Sequence, residues 1–104
     1  MPVVVVATMT AKPESVDAVR DACKRAVDAV HHEPGCQVYA LHEANGTFVF
    51  VEQWADADAL KTHSTAPGVT TLFTEVSDHL DGAPDIKMLQ PVVAGDPAKG
   101  QLRP

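Results

Sequence analysis

An α+β domain, with one four-stranded antiparallel sheet backed by a single layer of helices, is the fold class that this sequence predicts. Three observations lead to it. Short runs rich in β-branched and aromatic residues alternate with segments of helical period. Two of those runs are joined by Asn45-Gly46, the pair best suited to a two-residue hairpin. A length of 104 residues suits one core that needs no disulfide or metal.

Val3 to Thr10 opens with four consecutive valines, which suggests a strand buried on both faces, since a half-exposed strand would alternate. A helix is expected from about Pro13 to His32. Proline fits a first helical turn, Glu14 and Asp17 suit its positive end, and Val16, Val19, Cys23, Ala26, Val27 and Val30 recur at helical spacing. Pro34 forces Glu33 out of helical geometry and Gly35 can take the positive φ of a tight exit. His31 and His32 are helix neighbours that point about 100° apart and so cannot converge on one ion; they read as solvent-facing cations near the negative helix end.

Cys36–Ala44 and Thr47–Ala55 are the hairpin strands. A type I′ turn at Asn45-Gly46 would place Gln37, Tyr39, Leu41 and Glu43 opposite Trp54, Glu52, Phe50 and Phe48. The reverse face then carries Val38, Ala40 and His42 against Gln53, Val51 and Val49, and it too is largely apolar. One helical layer covers only one side of a sheet. The aromatic face should meet the helices and the valine face a second copy of the chain.

Asp56 is suited to cap a short helix from Ala57 to about Ser64 that turns His63 inward or to the rim. Pro67 begins another, with Val69, Leu72, Phe73, Val76 and Leu80 as its stripe and Gly82 and Pro84 as its end. A last strand is expected over about Asp85 to Val92. The order β-α-β-β-α-α-β is the ferredoxin-like split β-α-β arrangement. Residues 1–93 would form the domain and 94–104, rich in Gly, Pro and polar residues, a flexible tail that is mobile or lies along a partner.

Composition narrows the function. With 45% hydrophobic and 21% charged residues the chain is ordinary for a globular protein, and a net charge of −6 gives no basic footprint for nucleic acid. The run Val3–Ala7 is too short for a membrane span or a signal segment, so a cytoplasmic protein that needs no membrane is expected. Cys23 and Cys36 lack metal or redox spacing and read as buried thiols. No phosphate loop, dinucleotide fingerprint or H-E-x-x-H is present.

The succession Glu33-Pro34-Gly35-Cys36, Tyr39, Phe48-x-Phe50-x-Glu52-x-Trp54 and then His63 resembles the antibiotic biosynthesis monooxygenase family of dimeric α+β barrels, over about Val3 to Pro91. The resemblance implies a homodimer formed through the sheet faces, with one pocket per subunit between sheet and helices. It also implies oxidation of quinol-like or polycyclic phenolic substrates by molecular oxygen with no metal, flavin or nicotinamide. Trp54 falls at the place of the pocket tryptophan shared by quinone-forming and haem-degrading members. The haem degraders also use a first-strand asparagine and a later-helix histidine, where this chain has Val6 or Ala7 and about Phe73, so the likeness does not extend to haem turnover. The polar first-strand residue of quinone-forming members also has no counterpart here.

Phenols react with oxygen after losing a proton, so the site needs a base within hydrogen-bond reach and a pKa near the working pH. His63 meets that without tuning, whereas Glu52 would need burial. Trp54 would offer a flat wall and an indole N–H, Tyr39 a hydrogen bond to a developing oxyanion, and Phe50, Leu72 and Phe73 an apolar lining. All seven could instead be core or paired structural groups. The alternative readings are a dimeric barrel that binds a small molecule or serves a stress response without catalysis, and an isomerase of a small metabolite.

Overall fold

The computed structural model describes residues 1–104. Strands β1 (Val3–Thr10), β2 (Cys36–Ala44), β3 (Thr47–Trp54) and β4 (Asp85–Leu89) form one antiparallel sheet in the order β2-β3-β1-β4. Helices α1 (Val16–Val30), α2 (Ala57–Thr65) and α3 (Pro67–Val76) complete the ferredoxin-like α+β arrangement that the element order predicts.

Alternation along the strands decides which side chains the helices cover. Val5, Met9, Phe48, Phe50 and Trp54 are buried together with Val19, Cys23, Ala26, Val30, Leu72 and Val76 from the helices in one apolar core. The bulky aromatic face of β3 is thus the inner face, as expected. On the outer face Val4, Val6, Val38, Ala40, Val49 and Val51 are only half-buried in the single chain. Gln53 is the exception at 1% exposed. Its amide donates to Gln37 Oε1 at 2.8 Å and to the backbone oxygen of Arg103 at 3.2 Å. The segment expected to be a flexible tail therefore meets the outer face at this point.

The hairpin turn forms as its sequence dictates. Asn45 and Gly46 both take positive φ, 51° and 80°, which the right-handed twist of the flanking strands favours. Three of the four expected pairs hold: Tyr39 with Glu52, Leu41 with Phe50 and Glu43 with Phe48. Gln37 does not face Trp54. The register shifts between Cys36 and Val38, so that Cys36 is opposite Trp54 and Gln37 is the extra residue of a bulge. That shift lets the Gln37 carboxamide meet Gln53.

Three boundaries also move. Pro13–Ser15 is a separate 3-10 turn, because Ser15 at ψ 6° breaks the helical run, and α1 extends only from Val16 to Val30. β4 stops at Leu89, short of Val92. Its only neighbour, β1, begins at Val3, and Pro91 lacks an N–H to continue the ladder. The α3 helix ends at Val76, and Leu80 instead bridges to Ala11. No helix is long and apolar enough to cross a membrane.

Candidate active site

His63 is the point on which three elements converge. Asp56 caps α2, its Oδ1 accepting the Ala59 N–H at 2.8 Å, and this fixes the start of the helix and the direction in which His63 points. The imidazole is 6% exposed. It lies over the Trp54 indole with centroids 4.3 Å apart and planes tilted by 32°, and Tyr39 stands edge-on to it at 5.6 Å. The two nitrogens of His63 face different carboxyl groups. Nδ1 is 2.8 Å from Glu33 Oε1, while Nε2 is 3.9 Å from Glu52 Oε1, beyond hydrogen-bond range.

Glu33 arrives there through the exit turn of α1. Gly35 has φ 80°, and a Cβ on it would lie 2.5 Å from the Ala59 Cβ. Glycine therefore lets the Glu33-Pro34-Gly35 turn seat directly on α2, with the Ala55 N–H donating to Gly35 O at 2.9 Å. In the sequence Glu33 stands at a helix exit and in the Glu33-Pro34-Gly35-Cys36 succession, with nothing to mark it as a partner of His63. Thirty residues separate it from His63, and no local period could link them.

Glu52 occupies the middle of the inner face, between Tyr39 on β2 and Val5 on β1. It is 3% exposed, so the burial it would need as an acid–base group is present. Desolvation, the largest effect, pushes its carboxyl up to about 7; the Trp54 N–H donated to Oε1 at 3.0 Å pulls the other way, and the charge of Glu33 adds to the rise. Tyr39 is likewise buried against Phe50, with ring centroids 4.8 Å apart. Burial and the neighbouring carboxyl of Glu52 hold its phenol well above the ordinary tyrosine range, so it remains a hydrogen-bond donor.

A cavity of about 450 Å³ lies between the sheet and helices α2 and α3. Tyr39, Phe50, Glu52, His63, Leu72 and Phe73 all reach its wall. Trp54 does not: it is fully buried, behind the imidazole, and its N–H is taken by Glu52. Instead of the flat cavity wall with an available indole N–H expected of it, Trp54 is the support beneath His63 and Glu52. Strand β4 contributes Ile86 and Met88, and α2 adds Lys61 and Ser64. Pairing of β4 with β1 puts Ile86 beside Ala7 and Met88 beside Val5, a placement that requires knowing the strand order. Cys23 is buried in the core with its thiol pushed up to about 12 by desolvation. No three His, Cys, Asp or Glu side chains are grouped to hold a metal ion.

Chemically, the wall offers the His63 imidazole and a carboxyl, that of Glu52, raised to about 7, beside a mostly apolar volume. This is what proton removal from a flat, weakly acidic ligand requires.

Comparison with known proteins bears on the same residues. The family model described as antibiotic biosynthesis monooxygenase matches residues 2–74, which include Tyr39, Glu52, Trp54, His63, Leu72 and Phe73. A crystal structure described as an antibiotic biosynthesis monooxygenase is 29% identical, with TM-score 0.81, covering 86% of this chain and 98% of that one. PA3566 from Pseudomonas aeruginosa is 26% identical with TM-score 0.80, covering 88% and 94%. Rv0793 from Mycobacterium tuberculosis, at 24% identity, shares the fold with TM-score 0.85 over 92% of this chain and 100% of its own. No curated protein matches the chain. With strands β1 to β3, helices α1 and α2, most of α3 and the residues around His63 falling within that match, the chain belongs to the antibiotic biosynthesis monooxygenase family.

Proposed function

We propose that the protein is a monooxygenase that oxidises a quinol-like or polycyclic phenolic substrate with molecular oxygen, without a metal or organic cofactor, and that it works as a homodimer joined through the outer sheet faces. The observation that carries this reading is the pairing of His63 and Glu52 on the wall of one apolar cavity. Its volume of about 450 Å³ falls within the roughly 300–1,000 Å³ of small-molecule sites. Phe50, Leu72 and Phe73 suit the faces of an aromatic ring.

In this mechanism His63 accepts the phenolic proton at Nε2. The phenolate passes one electron to oxygen, and the phenoxyl radical and superoxide recombine at the ring carbon opposite the oxygen to give a peroxide. On a phenol, cleavage of the O–O bond and transfer of the ring hydrogen as a proton to the Glu52 carboxylate give the quinone and one water, so that phenol plus oxygen balances quinone plus water; on a quinol, whose opposite carbon already carries oxygen, the same steps at an adjacent ring C–H give the hydroxyquinone and one water. Glu52, whose carboxyl holds a proton up to about pH 7, supplies the proton that the departing oxygen needs. Tyr39 donates a hydrogen bond to the developing oxyanion. Trp54 stacks under the imidazole, where its ring face favours the cation formed when His63 is protonated.

Oxygen consumption by metal-free protein with a panel of reduced naphthoquinols and anthrones tests the reading. Turnover above the uncatalysed rate, lowered by at least about 100-fold in His63→Ala, is expected of a general base. No consumption above background across the panel would favour a binding protein without catalysis.

A further inference from the structure

A neutral imidazole carries one proton on two nitrogens, and the partner of one nitrogen decides the state of the other. His63 Nδ1 is 2.8 Å from Glu33 Oε1, with the two side chains 7% and 14% exposed. An ionised carboxylate can only accept, so the proton belongs on Nδ1 and Nε2 is left as a lone pair. Nothing else holds the ring that way. The groups that face it are Trp54 and Glu52 from β3 and Tyr39 from β2, and the nearest approach of Glu52 is 3.9 Å. Were Glu33 absent, the opposite tautomer would direct an Nε2–H at Glu52 and leave no base in the cavity.

Two further observations argue that this carboxylate is held for the site rather than for the fold. Glu33 Oε2 is buried without a hydrogen-bond partner, a cost that no packing role returns. Glycine at position 68 gives it room: a Cβ there would lie 3.1 Å from Oε2 and 3.1 Å from Val30 Cγ2, closer than an ordinary contact.

We propose that Glu33 is the positioning residue of this site, fixing the His63 proton on Nδ1 so that Nε2 enters the cavity as the base, with Gly68 as the notch that admits its carboxylate. The proposal rests on His63 as the base of the reading above, and its test separates the two.

The tautomer of His63 is read by ¹⁵N NMR in the parent and in Glu33→Met, which keeps the side-chain length and removes both oxygens. Replacing a buried charge by an apolar group of similar size is often neutral or stabilising, so this variant should fold with an unchanged or higher melting temperature. The parent is expected in the Nδ1–H form and Glu33→Met mainly in the Nε2–H form. Glu33→Gln, whose amide oxygen can still accept, should return the proton to Nδ1. Glu33→Asp, one methylene short of reach, should shift the tautomer as Met does but less, and serves if Met fails to fold. With an active substrate, kcat of Glu33→Met should fall by about 100-fold or more with KM little changed, since no binding contact is lost. An Nε2–H tautomer in the parent, or an unchanged Nδ1–H tautomer in Met and Asp variants, overturns the proposal. A tautomer shift in protein that consumes no oxygen upholds it and sinks the oxygenase reading alone.

Discussion

Removing the charge of Glu52 should make the protein more stable, and only above acidic pH. A carboxyl 3% exposed whose pKa climbs from 4.5 to about 7 keeps its proton in the folded state where the unfolded chain has released it. Between those two values the folded protein binds more protons than the unfolded one. Stability therefore falls as pH rises through that interval, and the full loss is present above about 7. At about 1.4 kcal/mol for each pH unit, the ionised carboxylate costs the fold about 3 kcal/mol at pH near 8 and nothing below pH near 4. Glu52→Gln keeps an oxygen to accept the Trp54 N–H and has no charge to bury. It should match the parent near pH 4 and exceed it by up to about 3 kcal/mol near pH 8. For a chain of this size that is a rise of roughly 10–20 °C in melting temperature. The fluorescence of Trp54, the single tryptophan, follows unfolding by heat or urea across the pH range. A stability difference between the two proteins that is the same at both ends of that range would refute the reasoning, whatever its sign.

Two other substitutions probe separate parts of the molecule. Val51→Asp places a charge on the half-buried outer face of β3; if that face is the dimer contact, light scattering should show the variant dissociating at concentrations where the parent remains paired, because a charge in a desolvated interface is costly. A parent that is monomeric at micromolar concentration contradicts the pairing. Asp56→Ala removes the oxygen that accepts the Ala59 N–H and should lower stability by about 1 kcal/mol, measured as a urea midpoint. Because α2 carries His63, turnover should fall as well, and a loss of stability without any change in turnover would show that the cap does not set the histidine's aim.

The sheet was legible because its signals are local. Four valines in a row, Asn45-Gly46 between two apolar runs, and Phe48, Phe50 and Trp54 at alternate positions each constrain only their neighbours, and together they fix the hairpin and its inner face. The same alternation pointed to Glu52, and the helical stripe to His63, Leu72 and Phe73. What the pattern could not carry was anything decided between elements. The extra residue at Gln37 is invisible in an alternating strand, since a bulge costs one register step and leaves the composition unchanged. Glu33 meets His63 only because Gly35 allows a turn to rest on α2, and Trp54 lies behind His63 only because that helix crosses above it. Ile86 and Met88 reach the cavity through a strand order that places the last strand beside the first.

Strand β4 has all five of its residues exposed and pairs with β1 along one edge only, yet Ile86 and Met88 form part of the cavity wall. One side of the cavity is thus walled by the segment of the sheet with the least burial to hold it in place. Elements of that kind open at a fraction of the energy of global unfolding. Fraying of this edge would widen the cavity while the imidazole and its supports on β3 and α2 keep their places.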